Sequence, residues 1–243
     1  MTHQQAPKFS GVVPRGLPKV TAEEALENSL RFIGAEVTQD AFEELTASSP
    51  VAIPRSPEGQ FSAFTRRIAR QDAFYSLVYC DGTRPVFPGV TLETGDLLEP
   101  SFTEELVKLC PGGLIRPNAV LGNGSGKFGC HCDADIASHD YLLAESDTLP
   151  LPVQAALLHR LIEVGMPIVS AVFTGGKSIH ALIKVQARNE TEFRTLSRRT
   201  YSKLVRLGFD PSCSNPSRMT RLPGCMRTLS DGSTARQTLL YLA

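Results

Sequence analysis

The chain has 243 residues, 42% of them hydrophobic and 21% charged, with 25 Lys or Arg against 25 Asp or Glu. That is enough apolar material for the core of one large domain, or of one domain with a smaller N-terminal extension. No run approaches the roughly 18–20 apolar residues that a membrane span needs, and the opening MTHQQAPKFSG lacks the apolar core of a secretory signal, so a soluble, cytoplasmic protein with no membrane partner is expected.

The elements follow from periodicity and punctuation. Residues 1–20 hold several Pro and Gly and read as an arm. Residues 22–35 place Ala25, Leu26, Leu30 and Ile33 at helical spacing, with Thr21 as N-cap and Glu24 at the capping-box position. The Pro- and Ser-rich stretch from Ser48 to about Phe61 reads as a loop, and 74–80 (FYSLVYC) as a strand before an Asp81-Gly82 turn. A short helix is predicted over 102–110. Residues 114–121 and 127–132 flank the turn-forming GNGSG and are predicted to pair as a hairpin. Residues 140–147 (DYLLAESD) form a strand running from apolar to acidic, and 150–165 an amphipathic helix ending at Gly165. Strands at 167–173 and 179–185 flank Thr174-Gly175-Gly176-Lys177-Ser178. A basic helix follows at 189–207, stopping at Gly208, and a last strand at 236–242. The order predicts an α+β domain, a mixed or antiparallel sheet with flanking helices. Ala243 directly follows a predicted strand, as in a fragment of a longer protein.

Balanced charge conceals an asymmetry. Residues 170–243 hold twelve Lys or Arg against four Asp or Glu, and the first 169 residues thirteen against twenty-one. A basic C-terminal third suits a phosphate-rich partner; an acidic first part suits metal binding or plain solubility. The six cysteines form no C-x-x-C knuckle. Cys130-His131-Cys132 is the nearest approach to a ligand cluster, but neighbours on a strand point to opposite faces, so reduced structural cysteines are the simpler reading.

Three elements carry chemistry. Glu145 and Asp147 lie two apart at a strand end, which puts both carboxylates on one face, and a hard divalent cation such as Mg²⁺ or Mn²⁺ relieves their repulsion. A solvent-facing strand end has the same pattern. In Gly175-Gly176-Lys177-Ser178-Ile179-His180, two glycines let backbone approach a ligand, Lys177 and Ser178 can meet phosphate oxygens, and His180 can donate a hydrogen bond. This is not a Walker A loop, because the spacing differs and a strand follows where a helix should. A hairpin turn with a surface lysine and a core histidine is the plainer alternative. Third, Asp210 follows the basic helix, and Arg218 and Arg221 sit three apart in a Pro-rich loop where bidentate phosphate contacts are natural.

In their order, Glu145-Ser146-Asp147, Ser178-Ile179-His180 and Asp210 resemble the three motifs of the archaeo-eukaryotic primase superfamily. LLAESDTLPLPVQ, TGGKSIHALIKV and NPSRMTRLPG resemble in particular primase-polymerase domains of mobile elements and phages. The resemblance spans about residues 114–243, and it implies an RRM-like catalytic core over 101–243 behind an accessory region at 1–100. It also implies DNA primase and polymerase activity: two-metal nucleotidyl transfer of NTP or dNTP on a single-stranded DNA template, with a helicase, fused or separate, as a partner. Glu145, Asp147 and Asp210 would hold Mg²⁺ or Mn²⁺, and Glu145, Asp147, His180 and Asp210 would be the catalytic set. Lys177, Ser178, His180, Arg218 and Arg221 would hold the triphosphate. The helix carrying Arg188, Arg194, Arg198, Arg199, Lys203 and Arg206 would track the template.

Two departures accompany the resemblance. The leading residue of the first motif is Glu145 where the superfamily has Asp, and a second pair, Asp133-Ala134-Asp135, lies twelve residues earlier. Two rivals stand beside this reading: a catalytically inactive nucleic-acid-binding or replication-initiation module, and a metal-dependent nuclease.

Overall fold

The computed structural model describes residues 16–126 and 129–243; most of the expected N-terminal arm lies outside them. Helix α1 (Ala22–Ile33) starts as its sequence predicts. Glu24 N–H donates to Thr21 Oγ1 at 3.2 Å and Thr21 N–H to Glu24 Oε2 at 2.9 Å, so two orphan donors are satisfied reciprocally. Gly34 ends the helix in the left-handed region at φ 71°. Helix α2 (Ala41–Ala47) follows.

Helix α3 (Pro57–Ile68) corrects the loop expected up to Phe61. Ser56 Oγ accepts from Gly59 N–H at 3.0 Å, and Pro57 occupies the first turn, where a missing N–H costs nothing. The residues that read as loop punctuation are the helix start. Phe61, Phe64 and Ile68 are the buried face they introduce.

Strands β1 (Phe74–Val78), β2 (Cys80–Asp81), β3 (Arg84–Pro85) and β4 (Val90–Glu93) precede helices α4 (Thr94–Leu98) and α5 (Pro100–Leu109). After β5 (Leu114–Ile115) come β6 (His139–Ala144), α6 (Leu151–Glu163), β7 (Ile168–Phe173), β8 (Ile179–Ala187) and α7 (Glu190–Leu204). The chain closes with β9 (Thr220–Arg221), β10 (Met226–Thr228), β11 (Thr234–Arg236) and β12 (Thr238–Leu242).

These strands form two four-stranded antiparallel sheets, β4-β1-β5-β9 and β12-β7-β8-β6, with the small hairpins β2-β3 and β10-β11 beside them. The chain is therefore α+β with antiparallel sheets and flanking helices. In the second sheet β8 inserts between β6 and β7, which α6 connects, giving a split β-α-β unit, and β12 adds beside β7. Strand β7 (IVSAVF) is buried along almost its whole length, which is why its sequence is a continuous apolar run rather than an alternating one.

The hairpin expected between 114–121 and 127–132 does not form among the described residues. Leu114 and Ile115 pair with β1 and β9 instead, and residues 129–132 lead into a 3-10 turn at Asp133–Asp135. GNGSG is a local turn signal, and a turn does not choose a strand's partner. The expected boundary near residue 100 falls inside one sheet: β1 and β4 precede it, while β5 and β9 follow it. A single apolar cluster likewise joins Leu45, Phe61 and Tyr75 to Leu142, Val172 and Leu240. Among the described residues, no helix is long and apolar enough to cross a membrane.

Candidate active-site cleft

The antiparallel register of the second sheet sets Ala144 opposite Ala181, so the first residue beyond β6, Glu145, arrives beside His180 on β8. Their side chains are 12% and 9% exposed, and His180 Nε2 lies 2.5 Å from Glu145 Oε2. The other ring nitrogen, Nδ1, accepts from Arg221 N–H at 3.3 Å, which assigns its lone pair to that bond and the proton to Nε2. The other carboxylate oxygen, Oε1, accepts from Cys213 Sγ at 2.9 Å and faces Arg218 Nη2 at 3.4 Å. Burial pushes the Glu145 carboxyl up, but His180, Cys213 and Arg218 outweigh it and hold it well below the usual carboxylate range.

Asp147 diverges from Glu145 because β6 ends at Ala144, and the two residues no longer share a strand face. Its carboxylate is half-exposed and lies 3.1 Å from Lys177 Nζ. Lys177 belongs to the turn joining β7 and β8, where Gly175 takes φ 75°. Thr174 closes this turn, its N–H and Oγ1 both donating to Ser178 O, at 3.0 and 2.8 Å. The Ser178 side chain is buried, with its hydroxyl 3.4 Å from Thr174 Oγ1. Asp210 N–H donates to Glu145 O at 2.8 Å, while the Asp210 carboxylate accepts from Ser212 N–H and Oγ at 2.8 and 2.5 Å. Arg221 Nη1 donates to Gly112 O at 2.7 Å.

Glu145, Asp147, Lys177, Ser178, His180, Arg218 and Arg221 all line one cleft of about 1460 Å³. Asp210 stands behind Glu145, outside the lining. The competing acidic pair splits: Asp133 lines the cleft, accepting from Ser217 Oγ at 2.6 Å and facing Arg194 Nη2 at 3.4 Å. Asp135 is buried and accepts from Cys132 N–H at 2.7 Å and Ser125 N–H at 3.1 Å. Burial pushes its carboxyl up, but those bonds prevail and bring it down to about 2. Among the described residues Cys130-His131-Cys132 gathers no ligand set; His131 Nε2 is engaged by Gly122 O at 2.6 Å. All six cysteines are free.

Among the described residues, the group able to hold a metal ion is Glu145, Asp210 and Cys213, whose ligand atoms lie within 4.8 Å of one another. Two of the three donors are carboxylates, which suits a hard divalent ion, and the thiol adds a softer donor. Asp147 lies outside this group.

Several residues in or behind the cleft wall escaped the sequence reading: Arg227 lines it, while Gln154 and Cys213 brace residues that do. Gln154 on α6 clamps the turn between β7 and β8: its Nε2 donates to Lys177 O at 2.9 Å and its Oε1 accepts from Ile179 N–H at 2.9 Å. Within an amphipathic helix it has the look of a boundary residue, and only its burial marks it out. Cys213 had no signal, because its partner Glu145 is 68 residues away. Arg227 belongs to a hairpin too short to announce itself. Of the arginines expected on the basic helix, Arg194 and Arg198 line the cleft, whereas Arg188 precedes α7 and pairs with its Glu192 at 3.0 Å.

No family model and no curated protein matches the chain. A solved structure, the AEP domain of the cyanophage S-2L primase-polymerase, is similar over 74% of this chain and 87% of its own, at 20% sequence identity and a TM-score of 0.47.

Proposed function

We propose that the cleft performs metal-dependent nucleotidyl transfer, making this a DNA primase-polymerase domain acting on a single-stranded template. The observation that carries the reading is the meeting of three segments far apart in sequence. Glu145, His180 and the Asp210–Arg221 loop converge on one buried hydrogen-bonded centre, at the edge of which Lys177 stands on a two-glycine turn.

Each side chain has a task in that chemistry. Lys177, Arg218 and Arg221 present positive charge to a triphosphate, and the buried Ser178 and its turn fix where Lys177 stands. His180 keeps its proton on Nε2 through the Arg221 N–H bond at Nδ1, so it donates to Glu145 and orients that carboxylate in the cleft. Glu145, Asp147 and Asp210 are the carboxylates proposed to hold Mg²⁺ or Mn²⁺, which when bound supplies activation of the primer hydroxyl and neutralises the leaving pyrophosphate. Arg194 and Arg198 extend the basic lining from α7 toward a template backbone.

The test is primer synthesis on single-stranded DNA with labelled nucleotides and Mg²⁺ or Mn²⁺, comparing wild type with Asp147→Ala and Asp133→Ala. Products from wild type and Asp133→Ala that vanish in Asp147→Ala support both the reaction and the carboxylates named. The reverse pattern moves the metal to Asp133. DNA binding without products supports a binding module, and nucleotide-independent strand cleavage supports a nuclease.

A further inference from the structure

Strand β4 is the outer strand of its sheet, paired on one side with β1 and open on the other. Residues of an antiparallel strand alternate between facing their partner and facing away from it. Arg116 N–H donates to Ser76 O at 3.0 Å and Val120 N–H to Phe74 O at 2.8 Å, so Phe74 and Ser76 turn their backbone groups away from β4. Their register partners on β4, Glu93 and Thr91, therefore turn theirs outward. Among the described residues, nothing bonds to the backbone N–H or C=O of either.

The surface beside this edge carries one sign of charge. Between Arg84 and Lys108 the sequence holds Glu93, Asp96, Glu99, Glu104 and Glu105, and no Lys, Arg or His. All five are exposed. Lys108 reaches Glu104 at 3.9 Å on the same helix, and Glu99 Oε1 accepts from Ser101 Oγ at 3.2 Å. The carboxylates of Glu93, Asp96 and Glu105 have no partner among the described residues. Asp96, Glu99 and Glu105 rim a hollow of about 320 Å³ whose apolar wall is Leu92 of β4 and Phe102 of α5. Val90 shares a strand face with Leu92 and is 47% exposed. None of these residues lines the cleft.

An unpaired strand edge is a template for a further strand, and the side chains around it select which strand is accepted. These carboxylates repel nucleic acid. A second copy paired edge to edge would set the same five carboxylates against one another. A basic segment does the reverse: its backbone satisfies Thr91 and Glu93, its cations meet the unpaired acids, and its apolar side chains cover Val90 and Leu92. We propose that β4 is a docking edge for an extended basic segment of a partner protein, which adds a strand to the β4-β1-β5-β9 sheet. This docking does not depend on the chemistry of the cleft.

The experiment measures binding of two labelled synthetic peptides, Arg-Val-Arg-Val-Arg and Arg-Pro-Arg-Pro-Arg, to the full chain by fluorescence anisotropy. The two carry equal charge, but the second lacks the N–H groups that a ladder needs. Wild type is expected to bind the valine peptide about tenfold or more tightly than the proline peptide. Thr91→Pro removes an outward N–H and leaves the bonds to β1, so it is expected to weaken the valine peptide about tenfold at unchanged Tm. The double variant Asp96→Lys with Glu99→Lys is expected to weaken both peptides. Equal affinity of wild type for the two peptides overturns strand addition, and that comparison decides the question even where Thr91→Pro lowers Tm. Failure of wild type to bind the valine peptide overturns the proposal, as does wild-type affinity in the double variant. A concentration-dependent dimer that Thr91→Pro abolishes makes a second copy of this chain the occupant and overturns the basic partner.

Discussion

His180 Nε2 on β8 and Glu145 Oε2, the first residue beyond the adjacent β6, lie 2.5 Å apart in the largely buried wall of the cleft. The Arg221 N–H bond to Nδ1 makes the arrangement directional, because it leaves Nε2 as the donor. His180→Gln keeps one donor but loses the fixed ring geometry. Primer synthesis is expected to fall about 10²-fold or more, within the range for losing one positioned donor at a reacting centre. Steady-state kinetics with a pre-annealed primer check this, and a rate within twofold of wild type refutes the role.

Asp135 is a buried carboxylate outside the cleft lining, whereas Glu145 lines the cleft. The Asp135 carboxyl is lowered to about 2 from an ordinary 3.8, so its stabilising effect is complete above the ordinary value and fades as pH falls toward 2. Replacing it by Ala removes the acceptor of the Ser125 and Cys132 N–H groups, which water can partly reach, a cost of about 1 kcal/mol. Urea denaturation between about pH 6 and pH 2 should show the acid-dependent decline flattened in Asp135→Ala. Wild-type primer synthesis at neutral pH is expected to survive the substitution at a temperature where the variant is folded.

Gln154 bridges α6 to the turn through Lys177 O and Ile179 N–H. Gln154→Leu leaves those groups unpaired, with an expected loss of about 1–3 kcal/mol. The KM for nucleotide should rise more than kcat falls, since the turn is displaced while the Glu145–His180 centre is untouched. An unchanged KM would refute the positioning role.

Gly224 sits at φ 92° with an added Cβ only 2.3 Å from Pro57 O, where helix α3 begins. Gly224→Ala must move backbone against backbone, so a loss of about 1–3 kcal/mol is expected. Thermal unfolding measures it; wild-type Tm in this variant would mean that the approach is looser.

Arg198 is exposed on α7 at the cleft rim. If a DNA strand runs there, Arg198→Ala should weaken single-stranded DNA binding evenly across sequences. It should also reduce the slope of log affinity against log salt by about 1. Fluorescence anisotropy at several salt concentrations is the measurement.

Sequence determined what is local. The capping box of α1, the apolar β7 and β8, the basic α7 and the turn at Gly175-Gly176 are written in spacings of two to four residues, and each appears near its expected place. The acid, histidine and arginine candidates were legible for the same reason, as short patterns with a chemical meaning. Tertiary structure decided everything that rests on partnership between distant segments. It sent Leu114–Ile115 to β1 and β9 rather than to a hairpin, and it joined residues on both sides of position 100 in one sheet. It turned Asp135 into a buried acceptor, set Asp210 behind Glu145, and brought Cys213, Gln154 and Arg227 into the site. Hydrogen bonds and ion pairs act over a few ångströms, and which residues come that close is fixed by strand register and packing, which no local spacing encodes.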